Sequence, residues 1–206
     1  MTRPRLAATA LLALLAAAAA QAPPAPAPFV CDWDKCLGPC HCPSPNAPKG
    51  LLKSQTPQFV LITHDDAVTP LSNSLMRQLT DGFKNANGCN VPATWFVSNQ
   101  GTECPLVKQL HADNHEIAAH TLNHASLDPA FGEKKKQIEG SRAALVACGV
   151  PAADVVGFRS PYLVHNPAVR ETLFAADFLY DSSIVEVAHP TSASSPDFGR
   201  RVWPYT

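Results

Sequence analysis

The amino-acid sequence predicts an α/β fold in which parallel strands alternate with helices. Three observations lead there. From Gln58 onward, short apolar runs alternate with stretches whose apolar residues recur at helical spacing, the pattern of repeated βα units with right-handed crossovers. The first run, Phe59-Val60-Leu61-Ile62, ends abruptly in Thr63-His64-Asp65-Asp66-Ala67. Residues suited to chemistry then recur at the ends of later predicted strands, which in parallel α/β folds is where sites are built. An α/β barrel or an open α/β sheet satisfies this pattern.

Taken in order, Phe59 to Ile62 and the residues after them read as a strand buried on both faces. Leu71 to Asn87 reads as a helix, with Leu71, Leu75, Met76, Leu79 and Phe83 forming one apolar face. Val91 to Val97 is a second strand with Pro92 near its start. Pro105 to Asp113 is a helix, with proline in its first turn and apolar residues at Leu106, Val107 and Leu110. Glu116 to Ala119 is a short third strand, and Ala130 to Cys148 a longer helix closed by Gly149 and Pro151. Glu133 to Lys136 form its solvated charged face. Asp154 to Phe158 is a fourth strand, and Pro167 to Ala176 a further helix.

Before these units the chain has a different character. Arg3 and Arg5 precede an apolar block from Leu6 to Ala20 that ends in small residues, which reads as a secretory signal peptide over residues 1–22. The block is short and alanine-rich for a membrane span, so the mature protein is expected to be secreted, extracellular and free of the membrane. Residues 23–30 are a Pro/Ala-rich lead-in with the composition of an extended linker. Residues 31–57 form a Cys-rich segment with Cys31, Cys36, Cys40 and Cys42. A zinc knuckle using His41 is one reading; behind a signal peptide, disulfides are the better one. Cys89, Cys104 and Cys148 make seven cysteines, an odd number that leaves either one thiol without a partner or a partner that is missing. Residues 58–206 are the remaining domain, which holds the βα units. The chain has 206 residues, 46% of them hydrophobic, and a net charge of −1. That balance gives no basic excess for nucleic acid.

Function is argued from the strand ends. The first strand delivers the adjacent carboxylates of Asp65 and Asp66, the third runs into His120-Thr121-Leu122-Asn123-His124, and the fourth into Arg159-Ser160-Pro161-Tyr162. Adjacent like charges in a dry site require a cation, and both a metal ion and an arginine are within the pattern. His120 and His124 share one face if their segment makes a helical turn. Two imidazoles and a carboxylate are a common catalytic set for a divalent metal. Each element is ordinary alone, since aspartates cap helices and an arginine before a proline can be a loop residue. Their joint placement at successive strand ends is what carries the reading.

These three stretches resemble, in order, the first three motifs of the polysaccharide deacetylases, the NodB-homology family or carbohydrate esterase family four. Tyr180-Asp181-Ser182-Ser183 and Trp203-Pro204-Tyr205-Thr206 look like later landmarks of the family. The Cys-rich start, Ala67-Val68 and the Asn87-Gly88-Cys89 turn are similar to its animal chitin deacetylases. The resemblance implies a distorted (β/α) barrel, incomplete at the C-terminus, and metal-dependent removal of acetyl groups from the N-acetylglucosamine units of chitin or another N-acetylated polysaccharide. By position it implies Asp66, His120 and His124 as ligands of one divalent ion, most often zinc, with cobalt or manganese as alternatives. Asp65 would be the general base, Arg159 would orient it, and the Tyr162 backbone N–H would bind the oxyanion. Pro161, Tyr162 and Trp203 would contact substrate, Trp203 as a wall of the acetyl pocket.

Two departures from the family pattern stand out. His64 replaces a phenylalanine and is expected as a neutral packed ring rather than a ligand. The family's general acid comes from a leucine-x-histidine stretch expected after Thr206, so the chain reads as a fragment whose general acid is not among these residues. His165 and His189 lie at the wrong place in the order to replace it. A non-catalytic chitin-binding protein on the same scaffold, or a family deacetylase acting on peptidoglycan, are the alternative functions.

Overall fold

Strands of only two to four residues leave little room for ambiguity about which side chains face which layer, because successive residues point to opposite sides. A computed structural model of the chain describes residues 51–56 and 59–184. The predicted signal peptide, the lead-in, the four-cysteine cluster, His189 and Trp203 lie outside the described residues. Five parallel strands pair in sequence order: β1 (Thr63–Asp66), β2 (Thr94–Val97), β3 (Glu116–Ala119), β4 (Gly157–Phe158) and β5 (Tyr180–Asp181). Helices α1 (Pro70–Thr80), α2 (Cys104–Ala112), α3 (Lys134–Ala147) and α4 (Pro167–Ala175) fill the connections. A doubly wound open sheet reverses its strand order at a switch point, whereas a barrel adds strands consecutively. The order here is of the barrel kind, and among the described residues β1 and β5 remain open edges.

The register separates two faces. On the helix side, Trp95 and Val97 of β2, Ile117 and Ala119 of β3 and Phe158 of β4 join Val107, Leu110, Ile138, Leu145, Val169 and Leu173 from the helices in one buried core. Burial of each such side chain contributes roughly 1.5–3 kcal/mol. On the other face the paired positions are Thr63 with Thr94 and Glu116, and Asp65 with Phe96 and Ala118. That inner face is polar where the helix face is not. A disulfide between Cys104 and Cys148 ties the start of α2 to the residue after α3. Cys89 is exposed and has no disulfide partner among the described residues.

Local chemistry explains the boundaries. Thr69 caps α1 through a capping box with Ser72, and Pro70 occupies the first turn. Asn166 caps α4 by accepting from the Val169 N–H at 3.1 Å. The helix expected to run to Asn87 ends at Thr80, where Asp81 is extended and Gly82 adopts φ +81. Pro92 delays β2 to Thr94. The fourth strand shortens to Gly157–Phe158 because Ala152–Asp154 form a 3₁₀ turn.

Two expectations are corrected. The apolar run Phe59-Val60-Leu61 is not a strand buried on both faces; these side chains are exposed, and the ladder begins after Ile62. Pairing follows the partner, and the pairing run of β2 starts only beyond Pro92. On α1, Met76 is buried, but Leu71, Leu75, Leu79 and Phe83 are exposed. Met76 and Thr80, four apart, make the buried stripe instead.

His115, just before β3, gives a pH test of this packing. It is 7% exposed and its Nδ1 accepts the Ala93 N–H at 3.0 Å. Burial, and then the Arg77 charge, push its pKa below the ordinary 6.5, against the opposing pull of Asp113 and Asp81. Below pH 6.5 the unfolded chain binds a proton that the fold refuses, so stability falls as pH drops from 6.5 toward the folded value. Urea unfolding between pH 7 and pH 5 should show that loss, with His115→Gln flattening the slope by up to about one proton. Equal slopes for the two proteins would remove His115 from this role.

Candidate metal centre and catalytic pair

Alternation along β1 sends its two terminal carboxylates to different neighbours. Asp65 lies on the inner face, level with Phe96. Asp66 closes the strand in the left-handed region, with φ +81, which turns its side chain away from the ladder. His120 follows β3 directly, and its N–H continues the ladder to the Val97 carbonyl at 3.0 Å. His124 is reached through an irregular turn rather than the expected helical one, with Thr121 and His124 both at positive φ. The two rings nonetheless converge, with centroids 5.2 Å apart.

Asp66 Oδ1 lies 3.0 Å from His124 Nε2 and 3.6 Å from His120 Nε2. One donor atom from each of the three residues falls within 4.8 Å of the others. Ligand atoms around a tetrahedral zinc ion with bonds of about 2.0–2.1 Å stand about 3.3 Å apart, so the set fits such an ion. The supporting shell fits as well. His120 Nδ1–H donates to the Arg159 carbonyl at 2.7 Å, which leaves the Nε2 lone pair facing Asp66. Burial pushes the pKa of His120 below its ordinary value, favouring the neutral form a ligand needs.

Arg159 answers the other carboxylate. Its Nη1 donates to Asp65 Oδ1 at 2.7 Å and to Thr63 Oγ1 at 3.2 Å. Nη2 donates to Ser182 Oγ at 2.8 Å, and Nε to the Ser182 carbonyl at 3.3 Å. Thr63 and Ser182 were given no role by the sequence. The signal available for Thr63 was its period-two relation to Asp65, and for Ser182 its place beside β5.

Beyond β4, Ser160 N–H donates to Ser183 Oγ at 2.7 Å, and Asp181 Oδ1 accepts the Ser183 N–H at 3.0 Å. Tyr162 sits at φ 57 and is 71% exposed, with its ring edge-on to His124 at 4.9 Å. Leu163 and Ile184 complete the apolar side of an open cleft of about 670 Å³ whose polar side is the two aspartates, the two histidines and Arg159. Pro161, expected to touch substrate, is buried and does not line the cleft; its ring fixes the turn that exposes Tyr162. His64 packs on Trp95 with ring centroids 4.7 Å apart, and burial lowers its pKa. Its ring packs as expected, and it is not one of the three residues of the donor set. His165 is exposed, its Nδ1 against the Leu163 carbonyl.

With this geometry in hand, similarity to known proteins can be stated. Residues 53–180, more than half of the chain, match the family model for polysaccharide deacetylase. Chitin deacetylase 8 of Bombyx mori is 32% identical over 217 residues, covering 98% of this chain and 52% of that protein. Chitin deacetylase 1 of Bombyx mori is 32% identical over 188 residues, covering 85% of this chain and 33% of that protein. The chain thus spans about half the length of the first relative and a third of the second. A family 4 carbohydrate esterase from Streptomyces lividans, solved with acetate, superposes with a TM-score of 0.48 at 24% identity, over 60% of each chain.

The donor set predicts zinc binding that depends on Asp66, His120 and His124 and not on Asp65. Titration calorimetry should show Asp66→Ala and His124→Ala losing more than the roughly 10–100-fold typical of a lost supporting hydrogen bond. Asp65→Ala should bind zinc within a few-fold of the unchanged protein. Equal losses at both aspartates would break the division of roles.

Proposed function

The chain belongs to the polysaccharide deacetylase family, and we propose that it is a secreted, metal-dependent deacetylase of chitin or chitin oligomers, releasing acetate from N-acetylglucosamine units. The observation that carries the proposal is the split of two adjacent carboxylates between Arg159 and a pair of histidines. Amide hydrolysis needs both arrangements: a carboxylate placed to accept a proton, and a set of donors, two imidazoles and one carboxylate, that can hold a cation. The names of the two Bombyx mori relatives support chitin as the substrate. The signal-peptide pattern of residues 1–22 supports secretion.

Asp66, His120 and His124 would hold the divalent ion, with zinc the first choice for two imidazoles and one carboxylate. When bound, such an ion supplies Lewis acidity to the acetamide carbonyl and acidifies the attacking water. The remaining work falls to the chain's own groups. Asp65 accepts the proton of the water. Arg159 aims that carboxylate by a charge-assisted bond of 2.7 Å. The left-handed turn at Tyr162 presents a backbone N–H as a donor to the developing oxyanion. The cleft side made by Tyr162, Leu163 and Ile184 suits the apolar acetyl methyl. None of the described residues is assigned as the acid that protonates the leaving amine.

Acetate release from chitin oligomers by the zinc-loaded full-length protein tests the proposal. Asp65→Asn should lower kcat by about 10²–10⁴ with zinc affinity retained. Undiminished turnover in that variant would remove Asp65 as the base. Oligosaccharide binding with no acetate release would assign the scaffold to carbohydrate binding, and preferential turnover of peptidoglycan would reassign the substrate.

A further inference from the structure

The helix-side core accounts for nearly every large buried apolar side chain, but not for Phe96. Its neighbours on β2, Trp95 and Val97, both belong to that core. Phe96 points to the opposite, polar face, level with Asp65 on β1, and is still only 2% exposed. What covers it is charged. The guanidinium carbon of Arg159 lies 4.0 Å from the ring centroid, and the Tyr180 ring meets it edge-on at 6.3 Å.

Tyr180 is itself held in place. Its hydroxyl donates to Glu116 Oε1 at 2.7 Å, and Glu116 Oε2 accepts from Thr94 Oγ1 at 2.6 Å. The phenol crosses directly over Gly157, where any Cβ would overlap it. A chain of contacts thus runs from Thr94 through Glu116 and Tyr180 to Phe96, and from Phe96 to Arg159.

We propose that Phe96 is a positioning residue for the reaction, acting through Arg159 on Asp65; this rests on the reading of Asp65 as the base. The N–H donors of a guanidinium lie in its plane, so the four hydrogen bonds of Arg159 chiefly fix its direction within that plane. They resist tilting out of the plane poorly. The face of Phe96 opposes that tilt, and its quadrupole attracts the cation on the side from which water is excluded. The consequence is selectivity between neighbours: the arginine stays on Asp65 instead of swinging toward Asp66, where it would compete with a metal ion for the same carboxylate.

The test replaces Phe96 in the zinc-loaded full-length protein with progressively fluorinated phenylalanines, from the monofluoro to the pentafluoro ring. Fluorination keeps the ring's shape and drains the face of its attraction for a cation. Turnover number should fall step by step, by about ten-fold across the series, with KM and zinc affinity unchanged. The Nε resonance of Arg159 in NMR spectra should shift and broaden in parallel. Phe96→Leu, which keeps the bulk and loses the ring, should match or exceed the pentafluoro loss; if it fails to fold, the fluorinated series decides alone. A series with constant turnover and an unmoved Arg159 resonance overturns the proposal, because a ring that only fills space gives that result. If the unmodified protein releases no acetate, the assignment of Asp65 as base falls, and the Arg159 resonance still decides whether Phe96 holds the guanidinium.

Discussion

Two carboxylates in adjacent positions at the end of one strand impose the constraint that the surrounding structure satisfies. Unit charges about 4 Å apart interact by about 4 kcal/mol at an effective dielectric of about 20, so the two carboxylates are best turned apart and each matched to its own cationic partner. The strand's alternation does the first part, turning Asp65 to the inner face. The positive φ of Asp66 does the second, carrying its carboxylate to the two histidines. One element, β4, serves both. The Arg159 side chain pairs with Asp65 while its backbone carbonyl takes the Nδ1 proton of His120. A displacement of that residue would loosen the base and the ligand set at once, which couples two roles that the sequence presents as separate motifs.

Much of the site was legible because it depends on strand ends, and strand ends are where an apolar pattern stops. Asp65, Asp66, His120, His124 and Arg159 all stand within two residues of an end except His124, and the structure brings all five to one cleft. The convergence of the two histidines was foreseen for the wrong reason. The spacing of four suggested a helical face, but left-handed backbone at Thr121 and His124 brings the rings together, and residues other than glycine at positive φ leave no mark in a sequence. The faces of α1 were misread for a related reason. Periodicity shows that Leu71, Leu75 and Leu79 share a stripe; it does not say which stripe meets the sheet, and Met76 with Thr80 meets it. The pairing of Cys104 with Cys148 was likewise beyond spacing alone, since their sequence separation of 44 takes in a whole strand.

The inner face shows why an apolar-run reading of parallel strands falls short here. Strands buried on both faces should be apolar throughout, yet Thr63, Asp65, Thr94 and Glu116 occupy inward positions. Each of these polar groups has a partner on another strand: Thr63 and Asp65 with Arg159, Thr94 with Glu116, Glu116 with Tyr180. The partners come from distant parts of the chain, so the network forms only when the sheet is assembled in register. Buried polar groups that are unpaired cost more than they contribute when paired, and a one-residue slip would unpair several together. The inner network therefore contributes register specificity as well as the site.

Register, in turn, decides what the two ends of each strand can do. The first inward position of β1 to β3 carries hydroxyls and Glu116, and the next carries Asp65, Phe96 and Ala118. Gly157 is small, and the Tyr180 phenol takes the place that a Cβ would occupy there. A larger residue at that position would displace the phenol from Glu116 and from the Phe96 ring. Glycine within a strand usually weakens a sheet. Here it makes room for the phenol that braces Phe96, over whose ring the Arg159 guanidinium sits while it bonds Asp65, and that is the arrangement which keeps the neighbouring carboxylate available to a metal ion.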